Sequence, residues 1–364
     1  MKAAHDNSIV SKSLPSIPAG RLKGHNGPIH MIRLTKDGKY CLSAGNDRTV
    51  RLWNPTKLDP ACAVSAHNRT QLINTKSSVS NPSKSFPIEF LPKCLPIQTY
   101  FKGHSHPIHA ISVNDDSTTL LSSSDRTLIV TDIVSTNNIR RLQGHSSRIN
   151  SVTSSSSGEL YLSASYDGTV RIWDGKSHSK DPVQILSDAN DSVTTVLLDQ
   201  GQLNDNNSVR QIVTAGVDGI IRTYDLRKGM ITNDSTGIPI TNMVFSNDGN
   251  CLLLNGLDGI LRFMERDSGQ LLSQYSGSHI AGKYGLECAM SATDEYVLTG
   301  SEDGNIVIYD LVNKSEVQKL LGHSRPTCSI AAQVDIKHPS VTISASFDGN
   351  AVVWANIDEI SRWD

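Results

Sequence analysis

The sequence predicts an all-β chain folded as a seven-bladed β-propeller, closed by an N-terminal strand that completes the last blade. Three observations carry that expectation. The first is the stretch 144–174, which opens with Gly-His and closes with Trp-Asp. It holds three short apolar runs, Ile149–Thr153, Leu160–Ser163 and Thr169–Trp173. Ser-Ser-Gly and Tyr-Asp-Gly separate these runs and supply the Gly and Asp that tight hairpin turns require. The second is recurrence. Turn aspartates stand at Asp47, Asp125, Asp167, Asp218, Asp258, Asp303 and Asp348, and four of the six intervals lie near the blade repeat of about 40–45 residues. The third is that apolar spacing of three to four, the mark of amphipathic helices, is absent from these units.

Taken in order, residues 1–18 contain Ser, Lys and Pro without periodicity and read as a flexible tail. Ala19–Lys23 then precedes the first Gly-His. Elsewhere that position holds a strand-like run: Gln98–Lys102, Ile139–Gln143 and Glu316–Leu321. The repeats also stop soon after Trp354, one strand short of a complete unit. Ala19–Lys23 is therefore expected to be the fourth strand of the last blade, hiding both free edges of the ring. Residues 19–355 form the propeller and 356–364 a C-terminal tail.

Two intervals exceed the repeat. Between Trp53 and Gln98 the chain carries about 36 surplus residues. Residues 56–92 are rich in Ser, Asn, Lys and Pro and read as a disordered insertion. A second surplus of about 9 residues centres on Asp199–Ser208. One follows a third strand and the other a first strand. Alternating strand direction puts both on the face opposite the Gly-His connections.

Composition excludes several classes. A net charge of −2 over 364 residues gives no electrostatic case for coating nucleic acid or a membrane surface. The six cysteines are scattered without a Cys-x-x-Cys, which argues for free thiols in a reducing compartment. Nothing before Ala19 resembles a signal peptide, and there is no run of 18 apolar residues. The sequence holds no metal-ligand cluster, Walker loop, GxGxxG or GxSxG, so no metal, cofactor or catalytic residue is assigned.

Three blades repeat a four-residue set: His25/Ser43/Asp47/Trp53, His145/Ser163/Asp167/Trp173 and His323/Ser344/Asp348/Trp354. A His-Ser-Asp set invites a hydrolase reading. Repetition argues against it, since an enzyme has no use for one nucleophile copied around a ring. The expected role is structural: His bridges the turn Asp and the strand Ser, and Ser reaches the Trp indole N–H. Elsewhere the pattern decays. Thr131 stands where blade 2 would have Trp, Met264-Glu265 replaces Trp-Asp in blade 5, and blades 4 and 5 lack Gly-His. Those two blades are expected to rely on apolar packing by Val213, Ile221, Leu252, Leu253 and Leu261 rather than on polar networks.

The departures from the repeat carry a closer resemblance. GRLKGHNGPIHMIRLTKDGKYCLSAGNDRTVRLWNP, RTYDLRKGMI, GIPITNMVFSNDGNCLLLNGLDGILRFMERDSGQLLSQYSG and SEDGNIVIYDLV resemble the MAP kinase organizer family of WD-repeat proteins, also called WD repeat-containing protein 83. The likeness covers most of Arg21–Trp354 and fails at the two surplus segments and at Thr131. It implies a non-catalytic scaffold, cytoplasmic and nuclear, monomeric as a propeller. Its partners would be components of the extracellular-signal-regulated kinase cascade or spliceosomal proteins. Separately, IVTAGVDGIIRT with Tyr224-Asp225-Leu226-Arg227 resembles the sixteen-residue box by which some WD-repeat proteins dock on the adaptor of cullin-4 ubiquitin ligases. That likeness implies an alternative, a ligase substrate receptor dependent on Arg227.

The partner surface is expected on the Gly-His face. The residue before each turn Asp sits at a hairpin tip, where its side chain should meet solvent. Tyr166 and Phe347 are large aromatics at such tips in a protein that is only 5% aromatic. Arg148 and Arg325, just after a Gly-His, should lie on the same rim. Aromatics and Arg dominate interface hot spots.

Overall fold

The computed structural model describes residues 14–57, 88, 91–101, 103–199, 211–332, 341–356 and 360, which build seven antiparallel blades. The first strands are Ile29–Leu34, Ile108–Val113, Ile149–Ser154, Val193–Asp199, Ile240–Phe245, Cys288–Met290 and Thr327–Ala332. Each touches the next around the ring, and Thr327–Ala332 meets Ile29–Leu34, so together they line the axis. Second strands are the most enclosed: every residue of Cys41–Gly45 and Thr342–Ser346 is buried. Fourth strands form the rim, and Met230–Ser235 exposes all but one residue. The short β-branched runs of the sequence thus become a radial gradient of burial.

The core lies between blades. Trp53 packs with Leu22, Ile343 and Val353 between blades 1 and 7, and Trp354 packs with Tyr296 and Ile308 between blades 6 and 7. In blade 2 and blade 3, Trp173 joins Ile111, Leu120 and Leu128.

Ring closure occurs as the missing strand implies. Residues Ile17–Leu22 pair antiparallel with Ala351–Ala355, from Ile17 opposite Ala355 to Leu22 opposite Ala351. The strand starts two residues earlier than its sequence reading. The Ser16 amide already donates to the Ala355 carbonyl at 3.1 Å, and Ile17 packs on a small cluster of Ala19, Ala355 and Ile360. The tail assigned to 1–18 therefore loses its last residues to the blade. Leu14 is buried in the core beside Tyr296 and Trp354. Residues 1–13 lie outside the described residues. So do 357–359 and 361–364 of the C-terminal tail, in which Asn356 and Ile360 are buried.

The 56–92 insertion needs a similar correction at its end. Residues 58–87 and 89–90 lie outside the described residues, but Leu91 is buried and Ile88 packs on the same cluster. Just beyond, Lys93–Cys94 forms a strand parallel to the closing strand, with Arg21 opposite Lys93 and Leu22 opposite Cys94. The Arg21 amide donates to the Pro92 carbonyl at 2.8 Å. Blade 7 is consequently five-stranded. Two prolines flank the added strand at Pro92 and Pro96, and proline cannot donate to a further ladder. Of the second surplus, 200–208 lies outside the described residues. The strand before it ends at Asp199, whose carboxylate accepts Arg266 Nη2 at 2.6 Å.

Candidate functional site

In blades 1, 3 and 7 the four-residue sets come together as one relay. Trp173 Nε1–H donates to Ser163 Oγ at 2.9 Å. Ser163 Oγ lies 2.8 Å from His145 Nε2, and His145 Nδ1 lies 2.9 Å from Asp167 Oδ2. Blade 1 repeats this at 2.8, 2.6 and 2.9 Å through Trp53, Ser43, His25 and Asp47. Blade 7 repeats it at 2.8, 2.8 and 3.1 Å through Trp354, Ser344, His323 and Asp348. One tautomer satisfies every member: indole N–H to Ser, Ser O–H to Nε2, and Nδ1–H to carboxylate. Each Asp also accepts the amide following its His, from Asn26, Ser146 and Ser324.

Burial would raise these carboxyls, but the hydrogen bonds outweigh it. Asp167 falls to about 2 through Thr169, His145 and the Ser146 amide, while Asp47 and Asp348 lie below the usual carboxylate range. Burial also lowers His145. The preceding Gly follows from the same packing: a Cβ on Gly322 would stand 2.9 Å from the Trp354 ring. All three Ser residues are 0% exposed, so no hydroxyl reaches a substrate. These sets hold the fold.

The other blades solve the same problem differently. In blade 2, His104 bonds Ser124 at 2.8 Å and Ser122 at 2.7 Å. Asp125, read from sequence as the turn Asp, does not take that role. Ser123 and Leu128 pair as Ala44 and Val50 do, but enclose one residue fewer, so Ser124 stands where the carboxylate would be. Blade 6 contains a histidine that the sequence reading missed: His279 Nδ1 lies 2.8 Å from the Tyr309 hydroxyl. Its Gly is separated by Ser278, which hides the Gly-His signal.

Blades 4 and 5 do bury Val213, Ile221, Leu252, Leu253 and Leu261. The expectation that they lack a polar link is wrong. Arg222 pairs with Asp218 at 2.7 Å and Arg262 with Asp258 at 2.6 Å. An Arg four residues after the turn Asp also occurs in blades 1 and 3, as Arg51 and Arg171. In blade 1 the Asp47 carboxylate takes both His25, at 2.9 Å, and Arg51, at 3.5 Å; in blades 4 and 5, which lack that His, the Arg is the close partner.

The expected interaction residues fall into three places. Tyr166 is 58% exposed at its hairpin tip, with its amide donating to the Arg148 carbonyl at 2.8 Å. Phe347 does not point freely to solvent, contrary to the expectation for a hairpin-tip side chain. It is half-buried between Tyr284 of blade 6, at 5.4 Å edge-on, and His30 of blade 1, at 5.8 Å edge-on. His30 in turn lies 4.9 Å from His109 of blade 2. Arg148 is exposed in blade 3. Burial lowers both histidines and the Arg148 charge adds to each, while His30 also acts on His109, which falls to about 4. Five blades thus contribute one arc across the channel mouth: Tyr284, Phe347, His30, His109, Arg148 and Tyr166.

Arg325 is exposed on the same face, without a contact to that arc among the described residues. Arg227 is exposed in the turn after Ile220–Asp225, on the opposite face, where its amide donates to Asp225 Oδ1 at 2.9 Å. His30 and His109 went unread in the sequence although Pro-Ile-His occurs twice, at 28–30 and 107–109. Both are the extra residue of a β-bulge in a first strand, which aims them into the mouth. Below the mouth, Arg33 of blade 1 makes a two-pronged pair with Glu287 of blade 6, at 2.9 and 2.7 Å. Ser329 of blade 7 also donates to Glu287. This pair braces the axis. Among the described residues no group of three or more His, Cys, Asp or Glu could hold a metal ion, and no helix is long and apolar enough to cross a membrane.

Fold and repeat chemistry together define a WD-repeat propeller. The family pattern for "WD domain, G-beta repeat" matches residues 16–54, 94–132, 136–174 and 275–310. The chain is 31% identical to the WD repeat domain-containing protein 83 of Mus musculus over 332 residues, covering 87% of this chain and 90% of the relative. The Xenopus tropicalis protein of that name is 31% identical over 342 residues, covering 94% and 93%. The Dictyostelium discoideum homologue is 28% identical over 355 residues, covering 92% and 96%. The chain belongs to the WD repeat domain-containing protein 83 family.

Proposed function

We propose that this chain is a non-catalytic scaffold that docks partner proteins on the channel mouth of its Gly-His face. The observation that carries the reading is the arc itself. Three of its six members are large aromatics in a protein that is 5% aromatic, and an exposed Arg completes it. Residues of these types, held rigidly on neighbouring blades, are what protein interfaces use as anchors. The family resemblance supplies the setting: assembly of the extracellular-signal-regulated kinase cascade or of catalytic-stage spliceosomes, in cytoplasm and nucleus, by a monomeric propeller. The test is quantitative capture of kinase-cascade and spliceosomal proteins by wild type, Tyr166→Ala and Phe347→Ala. Each variant is expected to weaken capture at least tenfold, equivalent to about 1.4 kcal/mol, with Tm unchanged. Normal capture by both, or unfolding of both, sinks the assignment.

A second reading rests on the opposite face. Leu226 is 41% exposed beside exposed Arg227, so the end of the ligase-like box is presented to solvent. Arg227→Ala is expected to abolish co-purification of a cullin-4 complex. If the wild type recovers no cullin, that reading is withdrawn.

A further inference from the structure

We propose that the mouth recognises an acidic segment of a partner protein. One carboxylate would enter the corner between Arg148 and the His30–His109 pair, and a neighbouring apolar side chain would cover Phe347 and Tyr284. The proposal rests on the docking reading above and specifies the chemistry of its partner.

The hairpin turn does not need the Arg148 side chain. In other blades its place, just before the first strand, is held by Pro28, Pro107, Pro239 and Pro326. What the architecture uses there is the backbone carbonyl. The Pro28, Pro239 and Pro326 carbonyls accept the hairpin-tip amides of Asn46, Leu257 and Phe347, as the Arg148 carbonyl accepts that of Tyr166. The guanidinium is therefore surplus to the turn. Its Nε donates to Asn150 Oδ1 at 3.1 Å, and both Nη groups lack a partner among the described residues. A planar fork with two free N–H edges matches a carboxylate.

The histidines complete the corner. His30 Nε2 is covered yet has no hydrogen-bond partner among the described residues. Burial and the Arg148 charge hold both imidazoles below their ordinary value, so at neutral pH each is an uncharged ring with one N–H to give. The charged groups acting on the pair are Arg148 and Asp125, and Asp125 already lies 3.5 Å from Arg126. A basic partner group would meet the Arg148 charge, while the nearest carboxylates are already engaged, Asp125 with Arg126 and Glu302 with the Lys283 and Tyr284 amides. An acidic one would neutralise it. The adjacent rings supply the apolar half of the site, so the expected partner sequence places Asp or Glu next to Leu, Phe or Trp.

The experiment uses random dodecapeptides displayed on phage, selected on the full-length wild type and depleted on Phe347→Ala. Recovered peptides are expected to be rich in Asp and Glu beside a large apolar residue. By fluorescence anisotropy their affinity should fall at least tenfold in Arg148→Ala and further in Arg148→Glu, with partial recovery in Arg148→Lys. Lys176→Glu, in the connection on the opposite face, should bind as wild type, and all four variants should melt with the wild type. Peptides that depend on Phe347 but show no acidic enrichment, and bind Arg148→Glu normally, would overturn the acidic reading while leaving the docking surface standing. If synthetic versions of the peptides with phosphoserine in place of Asp or Glu bind more tightly than the originals, the carboxylate assignment is also wrong. Recovery of no Phe347-dependent peptide overturns both readings.

Discussion

Blade 3 and blade 5 share one backbone plan and hold it with different chemistry. In blade 3 the relay runs from Trp173 on the third strand through Ser163 on the second to His145 in the incoming connection. It ends at Asp167 in the turn. In blade 5, Leu254 and Met264 occupy the Ser and Trp positions of the register, and Asp258 binds Arg262 and the Ile260 amide, both within its own hairpin. The relay stitches the link between blades to the hairpin, whereas the ion pair closes the hairpin on itself. Both blades keep the same turn, with Gly168 at φ 77° and Gly259 at φ 74°. Strand alternation and the left-handed turn residue are therefore common to both blades, whichever polar link holds the turn Asp. The relay is an addition that ties one blade to the next.

The largest effect should come where closure and relay coincide. Deleting residues up to Lys23 removes the fourth strand of blade 7 and leaves Lys93–Cys94 without its partner. Loss of cooperative unfolding and aggregation are expected in calorimetry. An unchanged Tm would mean that the relay alone can hold the ring. A sharper contrast comes from single substitutions. Ser163→Ala orphans the Trp173 N–H and His145 Nε2 together, at about 1–3 kcal/mol each. Asp258→Ala breaks a pair whose carboxylate is 25% exposed, for which about 1 kcal/mol or less is expected. Equal losses in denaturant titrations would erase the distinction between the two blade types.

Acid should separate them as well. Asp167 titrates at about 2 in the fold, against an ordinary 3.8. Its contribution is full above about pH 4, where the unfolded chain is also ionised, and is lost as pH falls towards 2. The stability gap between wild type and Asp167→Asn should therefore shrink by about 2 kcal/mol across that window. For Asp258→Asn the change should be smaller, because its carboxylate is more exposed. An identical pH response in the two variants would count against the relay. The smallest effect concerns blade 1, whose turn places Arg48 at φ 63° where blades 3 and 5 have Gly. Arg48→Gly is expected to raise stability by about 1 kcal/mol, readable as a higher denaturation midpoint.

Much of this was legible because a propeller repeats its signals. Gly-His, the turn Asp and Trp-Asp locate blades directly, and one missing strand at one end predicts the closing strand at the other. What escaped has particular causes. Lys93–Cys94 is two residues long, too short for any alternation to register, and its pairing partner lies some 70 residues earlier. Blade 2 retains an Asp near its turn, so the loss of one turn residue is invisible until the register is known. The Asp–Arg pairs were hidden because their spacing also occurs in blades that use His. At the mouth, Tyr166 and Phe347 could be picked out by type and position. Their neighbours could not, since only closure of the ring brings Tyr284, Phe347, His30 and His109 together from four blades. The repeated Pro-Ile-His was the available clue.

The short strand at Lys93–Cys94 also bears on the order in which the protein is made. The closing strand is synthesised early, but its antiparallel partner Ala351–Ala355 follows about 260 residues after Cys94, on the order of 10–50 s at ordinary ribosomal speeds. Through that interval an unpaired strand would offer two sticky edges to other nascent chains. Lys93–Cys94 leaves the ribosome soon after the closing strand and can occupy one of those edges, with prolines on either side to stop the pairing from spreading. The same chain thus carries a cover for one edge of the closing strand that is made long before the strand's antiparallel partner.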